Sequence, residues 1–359
     1  MSDLRLEQIC CPLCGSAESD RVIEAVDNLC GVPGQFTVVR CRHCRHLFMN
    51  PRPTLDCLGD CYPAHYGPHL SLPTGVPQSC APSLPAAGPS PGAGTEPGAR
   101  PWYLRYLPLR YVPGLRRLYF WLLNDLSQPV PAAVSARLPN TATEAGPQAL
   151  EIGCATGRYL RRLQEDGWEV TGVEPGKRPA AIARAAGLNV HCGFLESAAL
   201  PEGGFDLAAA WMVIEHVPDP RDTLTRLFRL LRPGGQLLIS IPNAGCWEPA
   251  VFGRFWYVWE LPRHLHHFTP ASIRRLLEQC GFESVSVQHQ RTILNLIGSL
   301  GMAILSRWPT SRLGTRLKYY PDHPHVAGQL LSAPLAHFLA LLRQGGRLTI
   351  SARRPPMVS

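Results

Sequence analysis

The stretch Ala149-Leu-Glu-Ile-Gly-Cys-Ala-Thr-Gly-Arg-Tyr-Leu160 constrains this chain more than any other. A short apolar strand, Gln148 to Ile152, runs into a glycine-bearing turn. An amphipathic helix begins after Gly157, with Tyr159, Leu160 and Leu163 on one side. Gly153 and Gly157 let the backbone turn sharply and keep Cβ atoms out of a ligand's way. The helix N-terminus then offers unpaired N–H groups and a positive dipole end. The next strand, Glu169-Val-Thr-Gly-Val-Glu174, closes on a carboxylate about 20 residues after the turn, where an acid meets ribose hydroxyls. The dinucleotide fingerprint G-x-G-x-x-G is not met, because Ala155 and Arg158 stand at its second and third glycines.

The pattern that follows alternates strand and helix. Strands are expected at 148–152, 169–174, 188–191, 206–211 and 236–241. Asp219 as N-cap, Pro220 at the first position and Leu224, Leu227, Phe228 and Leu231 at helical spacing signal one helix, stopped by Pro233-Gly234. Thr269 caps another, with Pro270 next, Ile273, Leu276, Leu277 and Cys280 on one face, and Gly281 ending it. Such alternation specifies an α/β fold, a doubly wound parallel sheet with ligands at the carboxyl ends of the strands. Two last strands are expected at 283–288 and 347–352, separated by far more than a hairpin loop. The insert between them, 293–343, holds two apolar segments, Ile293–Leu305 and Gln329–Leu342, the second broken by Pro334. A basic turn with Arg307, Arg312, Arg316 and Lys318 joins them. The first segment is apolar nearly all round and as a helix must bury most faces.

The spacing E-x-G-x-A-x-G resembles the S-adenosylmethionine (SAM) loop of class I methyltransferases. Gly193-Phe-Leu-Glu196, Leu200-Pro-Glu-Gly-Gly-Phe-Asp206, Ile214-Glu-His-Val-Pro-Asp-Pro220 and Leu230-Leu-Arg-Pro-Gly-Gly235 come in the order of that family's motifs. Pro262-Arg-His-Leu-His-His-Phe-Thr-Pro270 and Cys280-Gly-Phe282 add to the likeness. The resemblance is to the branch that includes ubiquinone-biosynthesis-type enzymes. It implies a Rossmann-like sheet and SAM as cofactor: Glu151 anchors the SAM amino group, Gly153, Ala155 and Gly157 pass close to the cofactor, and Glu174 binds the ribose. Phe194 and Leu195 occupy the adenine-proximal position, where adenine rests on apolar contact and the Leu195 backbone N–H because Phe194 replaces the usual acid. Met212 follows the fourth strand at the cofactor's edge. Ubiquinone-type enzymes resemble E-x-x-E-H here; this chain has Met212-Val-Ile-Glu215-His216, so the first carboxylate is missing and no Mg²⁺ is expected.

Methyl transfer from a sulfonium is an in-line displacement in which the protein supplies orientation and, where needed, a base. His264 is the first candidate base and His216 the second. His266 and His267 lie in the same loop, which is expected to face the pocket.

Thirteen cysteines, several in C-x-x-C pairs, point to reduced thiols and metal rather than a disulfide scaffold. Cys11-Pro-Leu-Cys14 and Cys41-Arg-His-Cys44 form two knuckles, and four thiolates in tetrahedral array suit structural Zn²⁺. Val22-Ile23 and Phe36-Thr-Val-Val39 are the candidate strands of the ribbon between them. Cys10 is the alternative to Cys11. The run Cys44–Thr54 resembles the N-terminal zinc module found ahead of some such methyltransferases. A closed site of this kind is assigned stability or substrate docking.

The expected organisation is a zinc-ribbon module over 1–62, a Pro/Gly-rich linker over 63–100, a helical cap over 101–140 and a methyltransferase domain over 141–355. The aromatic and arginine-rich stretch 101–127 reads as part of that cap or as an interfacial membrane segment. A net charge of +8 with 36 prolines and 32 glycines is no nucleic-acid stripe. No Asn-Pro-Pro-Tyr-like signature follows strand four, where Trp211-Met-Val-Ile stands. A nucleic-acid-modifying enzyme using the ribbon and the basic segment is therefore the alternative reading, and no nucleic-acid partner is expected. The start, Met1-Ser-Asp-Leu-Arg-Leu-Glu7, has no apolar h-region, and no apolar run reaches the about 20 residues of a span. The expectation is a cytoplasmic enzyme acting by O- or C-methylation on a small-molecule acceptor, apolar or lipid-linked. Peripheral membrane contact would run through 293–343 or 101–127.

Overall fold

The computed structural model describes residues 4–62, 146–322 and 324–357. The expected linker at 63–100 and cap at 101–140 lie outside the described residues.

The N-terminal part is built of short strands: β1 (Leu6–Glu7), β2 (Ser19–Ala25), β3 (Phe36–Cys41), β4 (Leu47–Met49) and β5 (Arg52–Pro53), closed by a 3-10 turn at Leu58–Cys61. β1 pairs antiparallel with β5, and β2, β3 and β4 form an antiparallel meander. From 146 onward come β6 (Gln148–Ile152), α1 (Arg158–Glu165), β7 (Glu169–Glu174), α2 (Lys177–Ala185), β8 (Asn189–Cys192), β9 (Phe205–Trp211), α3 (Pro220–Leu230) and β10 (Leu231–Pro242). They are followed by α4 (Glu248–Phe252), β11 (His266–His267), α5 (Pro270–Gln279), β12 (Glu283–His289), α6 (Leu294–Arg307), α7 (Arg312–Tyr319), α8 (Val326–Leu341) and β13 (Arg347–Arg353).

The seven-stranded sheet has the order β12-β13-β10-β9-β6-β7-β8. β6 to β10 are parallel, and β13 runs antiparallel to both β10 and β12. This is the doubly wound Rossmann-like sheet expected of the motifs. β9 lies at its centre, and Leu207, Ala208, Ala209 and Ala210 are all fully buried. Alanine suits a strand covered on both faces where helices approach closely. One face is packed by Leu224, Leu227, Ile273 and Leu276, the other by Leu160, Leu163 and Ala183. Each such leucine contributes about 1.5–3 kcal/mol by burial.

Local signals set the helix ends. The Asp219 side chain accepts from the Arg221 and Asp222 amides, and Thr269 forms a capping box with Ser272. Three details differ from expectation. β10 begins at Leu231 rather than 236, with an irregularity between Leu231 and Gln236, because the Gly234 amide donates to Arg354 O and ties that stretch to the last strand. The basic connection in the insert is not a turn but helix α7. Pro334 does not break α8; it lies on the exposed side of the helix.

The first insert helix also departs from expectation. α6 buries Met302 together with the small or polar Asn295, Gly298, Ser299 and Gly301, while its other large apolar side chains are half-buried and Leu300 is exposed. A Cβ at Gly298 would meet the Tyr257 ring, and one at Gly301 the backbone of α7 at Lys318. Ser299 Oγ accepts from the Tyr257 amide and Asn295 Nδ2 donates to Gly346 O. Close backbone approach and hydrogen bonding seat this helix, with Met302 as its buried apolar anchor.

The N-terminal sheet does not end with its own strands. β11 adds antiparallel to β4, His266 opposite Phe48 and His267 opposite Leu47. Two histidines expected in a loop are thus strand residues in a sheet that joins both parts of the chain.

Candidate active site

The loops after β6, β7, β8 and β9 converge at the carboxyl edge of the sheet. Gly153 and Gly157 both have positive φ, +63° and +79°. A Cβ at Gly153 would run into Val213, and one at Gly157 into Leu188. Packing therefore demands these glycines whether or not a ligand approaches them. Ala155, also at positive φ, donates its amide to Glu174 Oε2 at 2.8 Å, and Gly176 donates to Glu174 Oε1 at 2.7 Å. Glu174 thereby ties the glycine turn to β7. Each of its oxygens keeps a lone pair for a further donor such as a ribose hydroxyl. Burial raises its pKa, against the pull of those two amides.

Glu151 points into the sheet's helix-covered face and is 3% exposed, with Oε2 lacking a hydrogen-bond partner. Burial pushes its pKa far up. Such a carboxylate fits a cationic group brought by a ligand, since an unpaired buried acceptor costs about 1–3 kcal/mol. Phe194 is 64% exposed at the rim after β8, whereas the Leu195 side chain is in the core. Met212, at φ +56°, bonds its amide to Ser240 O and sits at the end of β9.

Beyond Met212 lies a buried cluster. Glu215, His216 and His264 bring donor atoms within 4.8 Å of one another. His264 Nδ1 is 2.8 Å from Val258 O, and its Nε2 is 3.4 Å from Glu260 Oε2. Nδ1 therefore carries the proton and Nε2 presents its lone pair. His216 Nδ1 lies 3.1 Å from Arg263 O and 3.0 Å from the Tyr62 hydroxyl, and its ring meets His264 edge to face. Burial lowers both imidazoles, His216 to about 3 and His264 below the ordinary value. Burial raises Glu215 to about 8, against the smaller pull of its own amide, and neither of its carboxylate oxygens has a hydrogen-bond partner among the described residues. His266 and His267 are not part of this cluster. His266 bridges Val217 O and His46, and His267 packs against Trp259.

Sequence reasoning missed the groups that hold this cluster in place. Tyr62 reaches His216 from the N-terminal part. Asp27 forms a bidentate ion pair with Arg263, at 2.8 and 2.9 Å, with both side chains fully buried. Asp27 also accepts from the amides of Leu29, Cys30 and Val32, and Arg263 also donates to Cys61 O and Glu260. Burial would raise Asp27, but Arg263 and the amides hold it below the usual carboxylate value.

The four expected zinc cysteines come together. Cys11 Sγ lies 3.5 Å from Cys44 Sγ, Cys14 Sγ 3.5 Å from Cys41 Sγ, and all four sulfurs lie within 4.8 Å of one another. Sulfurs about 2.3 Å from a tetrahedral Zn²⁺ would stand roughly 3.8 Å apart, so the set fits that ion. Cys10 is exposed and outside it.

A seven-stranded sheet of this order, with a glycine turn leading into a helix and an acid on the second strand, defines a Rossmann-like fold that binds a nucleoside cofactor. Residues 125–287 match the family described as a methyltransferase domain. The chain is 31% identical over 156 residues to the ubiquinone biosynthesis O-methyltransferase of Aromatoleum aromaticum, covering 40% of this chain and 67% of that one. It is 32% identical over 133 residues to the enzyme of the same name from Pseudomonas fluorescens, covering 34% of this chain and 57% of that one. Among solved structures, a SAM-dependent methyltransferase of Thermotoga maritima, described as a possible histamine N-methyltransferase, aligns with a TM-score of 0.42 at 20% identity. That alignment covers 69% of this chain and 99% of the other. The chain belongs to the class I SAM-dependent methyltransferase family.

Proposed function

We propose that this enzyme methylates an oxygen or carbon of a small apolar acceptor, with His264 taking the proton, while Cys11, Cys14, Cys41 and Cys44 hold one structural Zn²⁺. SAM supplies the electrophilic methyl group. Glu151 and Glu174 orient it, the first toward its amino group and the second toward its ribose. The observation that carries the reading is the buried cluster at the end of β9, where Val258 O takes the His264 Nδ1 proton and leaves Nε2 as the basic nitrogen, 3.4 Å from Glu260 Oε2. His216 is the weaker base, because burial holds its pKa to about 3. Oxygen is the first acceptor atom to test, since the relatives in ubiquinone biosynthesis are O-methyltransferases.

Labelled SAM offered with a panel of phenols, with and without apolar tails, tests the reaction. Replacing His264 with Ala should lower kcat by about 10²–10⁴-fold, the range for loss of a general base, and leave SAM affinity unchanged. His264 must be neutral to act, and its pKa is held below 6.5. The rate should therefore be flat through neutral pH and fall only as acid protonates the ring below that value. An unaltered kcat in His264→Ala would refute the assignment.

Cofactor binding is tested separately. Glu174→Ala removes both the anchor of the Ala155 amide and the ribose partner. SAM affinity should fall by about 1–3 kcal/mol, measured by calorimetry. Unchanged affinity would mean that Glu174 only braces the turn.

A second reading rests on the unpartnered Glu215 carboxylate. Glu215, His216 and His264 form a donor set suited to a divalent ion, with His264 in place of the acid missing at Met212. Equilibrium dialysis with Mn²⁺ decides it. Stoichiometric uptake lost in Glu215→Gln favours the ion, and no uptake leaves the cluster as a proton acceptor alone.

A further inference from the structure

Helix α8 packs its small side chains inward and its large ones outward. Ala333 and Ala336 are buried, whereas Leu331, Leu335, Phe338 and Leu342 are 87%, 45%, 56% and 53% exposed. Those four recur at i, i+4, i+7 and i+11, so they form one stripe along the helix. A solvated helix face has the opposite composition. A contiguous apolar stripe in the open marks an interaction surface.

The segments that flank the stripe in sequence are cationic. Between 293 and 343 stand Arg307, Arg312, Arg316, Lys318 and Arg343, and Asp322 is the single acid. α7 turns Arg312, Leu313, Arg316 and Tyr319 to solvent, and Trp308, just before it, is 62% exposed. α7 and α8 adjoin, because Tyr320 packs onto Gly328 in the first turn of α8. An apolar stripe on one helix, with aromatic and basic side chains exposed on the helix joined to its N-terminal end, has the composition of a segment lying in a membrane interface. A second copy is a poor occupant, since a two-fold contact sets the same cations against one another. No described helix is long and apolar enough to cross a membrane, so any lipid contact made by α8 lies in the plane of one leaflet.

We propose that α7 and α8 form a docking surface for an anionic lipid leaflet. The Leu331–Leu342 stripe enters the acyl boundary and the α7 cations meet the phosphate headgroups. The surface is independent of which acceptor is methylated. α6, packed between α7 and the Tyr257–Trp259 turn, holds it close to the loop that carries His264.

Flotation of the full-length protein tests this with phosphatidylcholine vesicles and with vesicles of phosphatidylcholine and phosphatidylglycerol in equal parts. Partitioning should favour the anionic vesicles by about tenfold or more and weaken with salt. Arg312→Gln with Arg316→Gln should lower it about 25-fold, at about fivefold per charge. Leu331→Ser with Phe338→Ser should abolish it. All four positions are exposed, so these variants should bind SAM as the parent does, which calorimetry checks. Equal partitioning onto neutral and anionic vesicles overturns the proposal, as does unchanged partitioning in either variant. A concentration-dependent dimer in sedimentation velocity, lost in Leu331→Ser/Phe338→Ser while vesicles never bind, assigns the stripe to a second copy and overturns it too.

Discussion

Zinc is expected to be lost completely when Cys41 is replaced by serine. Elemental analysis should fall from about one Zn per chain, the stoichiometry of a single tetrahedral site, to near none. The effect should be large because structural Zn²⁺ contributes about 10–16 kcal/mol of apparent binding free energy, which in a small module is folding free energy. The consequence should also reach beyond the module. Cys41 ends β3, β3 pairs with β4, and β4 pairs with β11 beside His264. The Met49 amide donates to Leu265 O, and the Leu265 amide to Glu215 O. Hydrogen exchange should therefore accelerate at 36–49 and at 263–267, while β6, β7 and β9 keep their protection. Full zinc retention in a Cys11→Ser/Cys41→Ser variant would refute the site. Unchanged exchange at 263–267 would refute the coupling.

The second large effect is expected at Asp27. Asp27→Ala removes the bidentate carboxylate partner of the Arg263 guanidinium and leaves that charge buried, with Glu260 and the Cys61 carbonyl still among its partners. Breaking one side of a buried ion pair costs about 3–5 kcal/mol, far more than an exposed pair is worth. Urea unfolding should show that loss. Asp27→Ala combined with Arg263→Met should recover part of it, since an apolar pair has no charge to desolvate. A double variant as unstable as the single one would mean that the amide contacts of Asp27, not the ion pair, carry the stability. The pair also has a signature in pH. Asp27 is depressed below its ordinary 3.8, so its contribution is complete above that value and is lost as pH falls through the lower folded pKa. Acid destabilisation from this pair should therefore be confined below about pH 4, and the parent should lose more stability there than the double variant.

Features written in local pattern were legible before any fold was known. Asp219 and Thr269 cap helices because a side-chain oxygen two or three residues before free amides needs no distant partner. The alternation from 148 to 289 specified the parallel sheet, and two C-x-x-C knuckles specified a four-sulfur cluster. Glycine at 153 and 157 was legible, but its reason was not. Only the fold shows that Val213 and Leu188 occupy the space a Cβ would take. The remaining contacts join residues that only the folded chain brings together. Asp27 and Arg263 are 236 positions apart, and no periodicity links them. Tyr62 meets His216 across 154 positions. His266 and His267 read as loop residues because a two-residue strand has no pattern of its own; it exists only where β4 offers unpaired amides and carbonyls. α6 and α8 misled in the same way. Their apolar composition called for burial, but glycine, alanine and serine allow closer backbone approach than leucine, so small side chains took most of the inner face, beside Met302 in α6, and Leu300, Leu331, Leu335 and Phe338 were left outside.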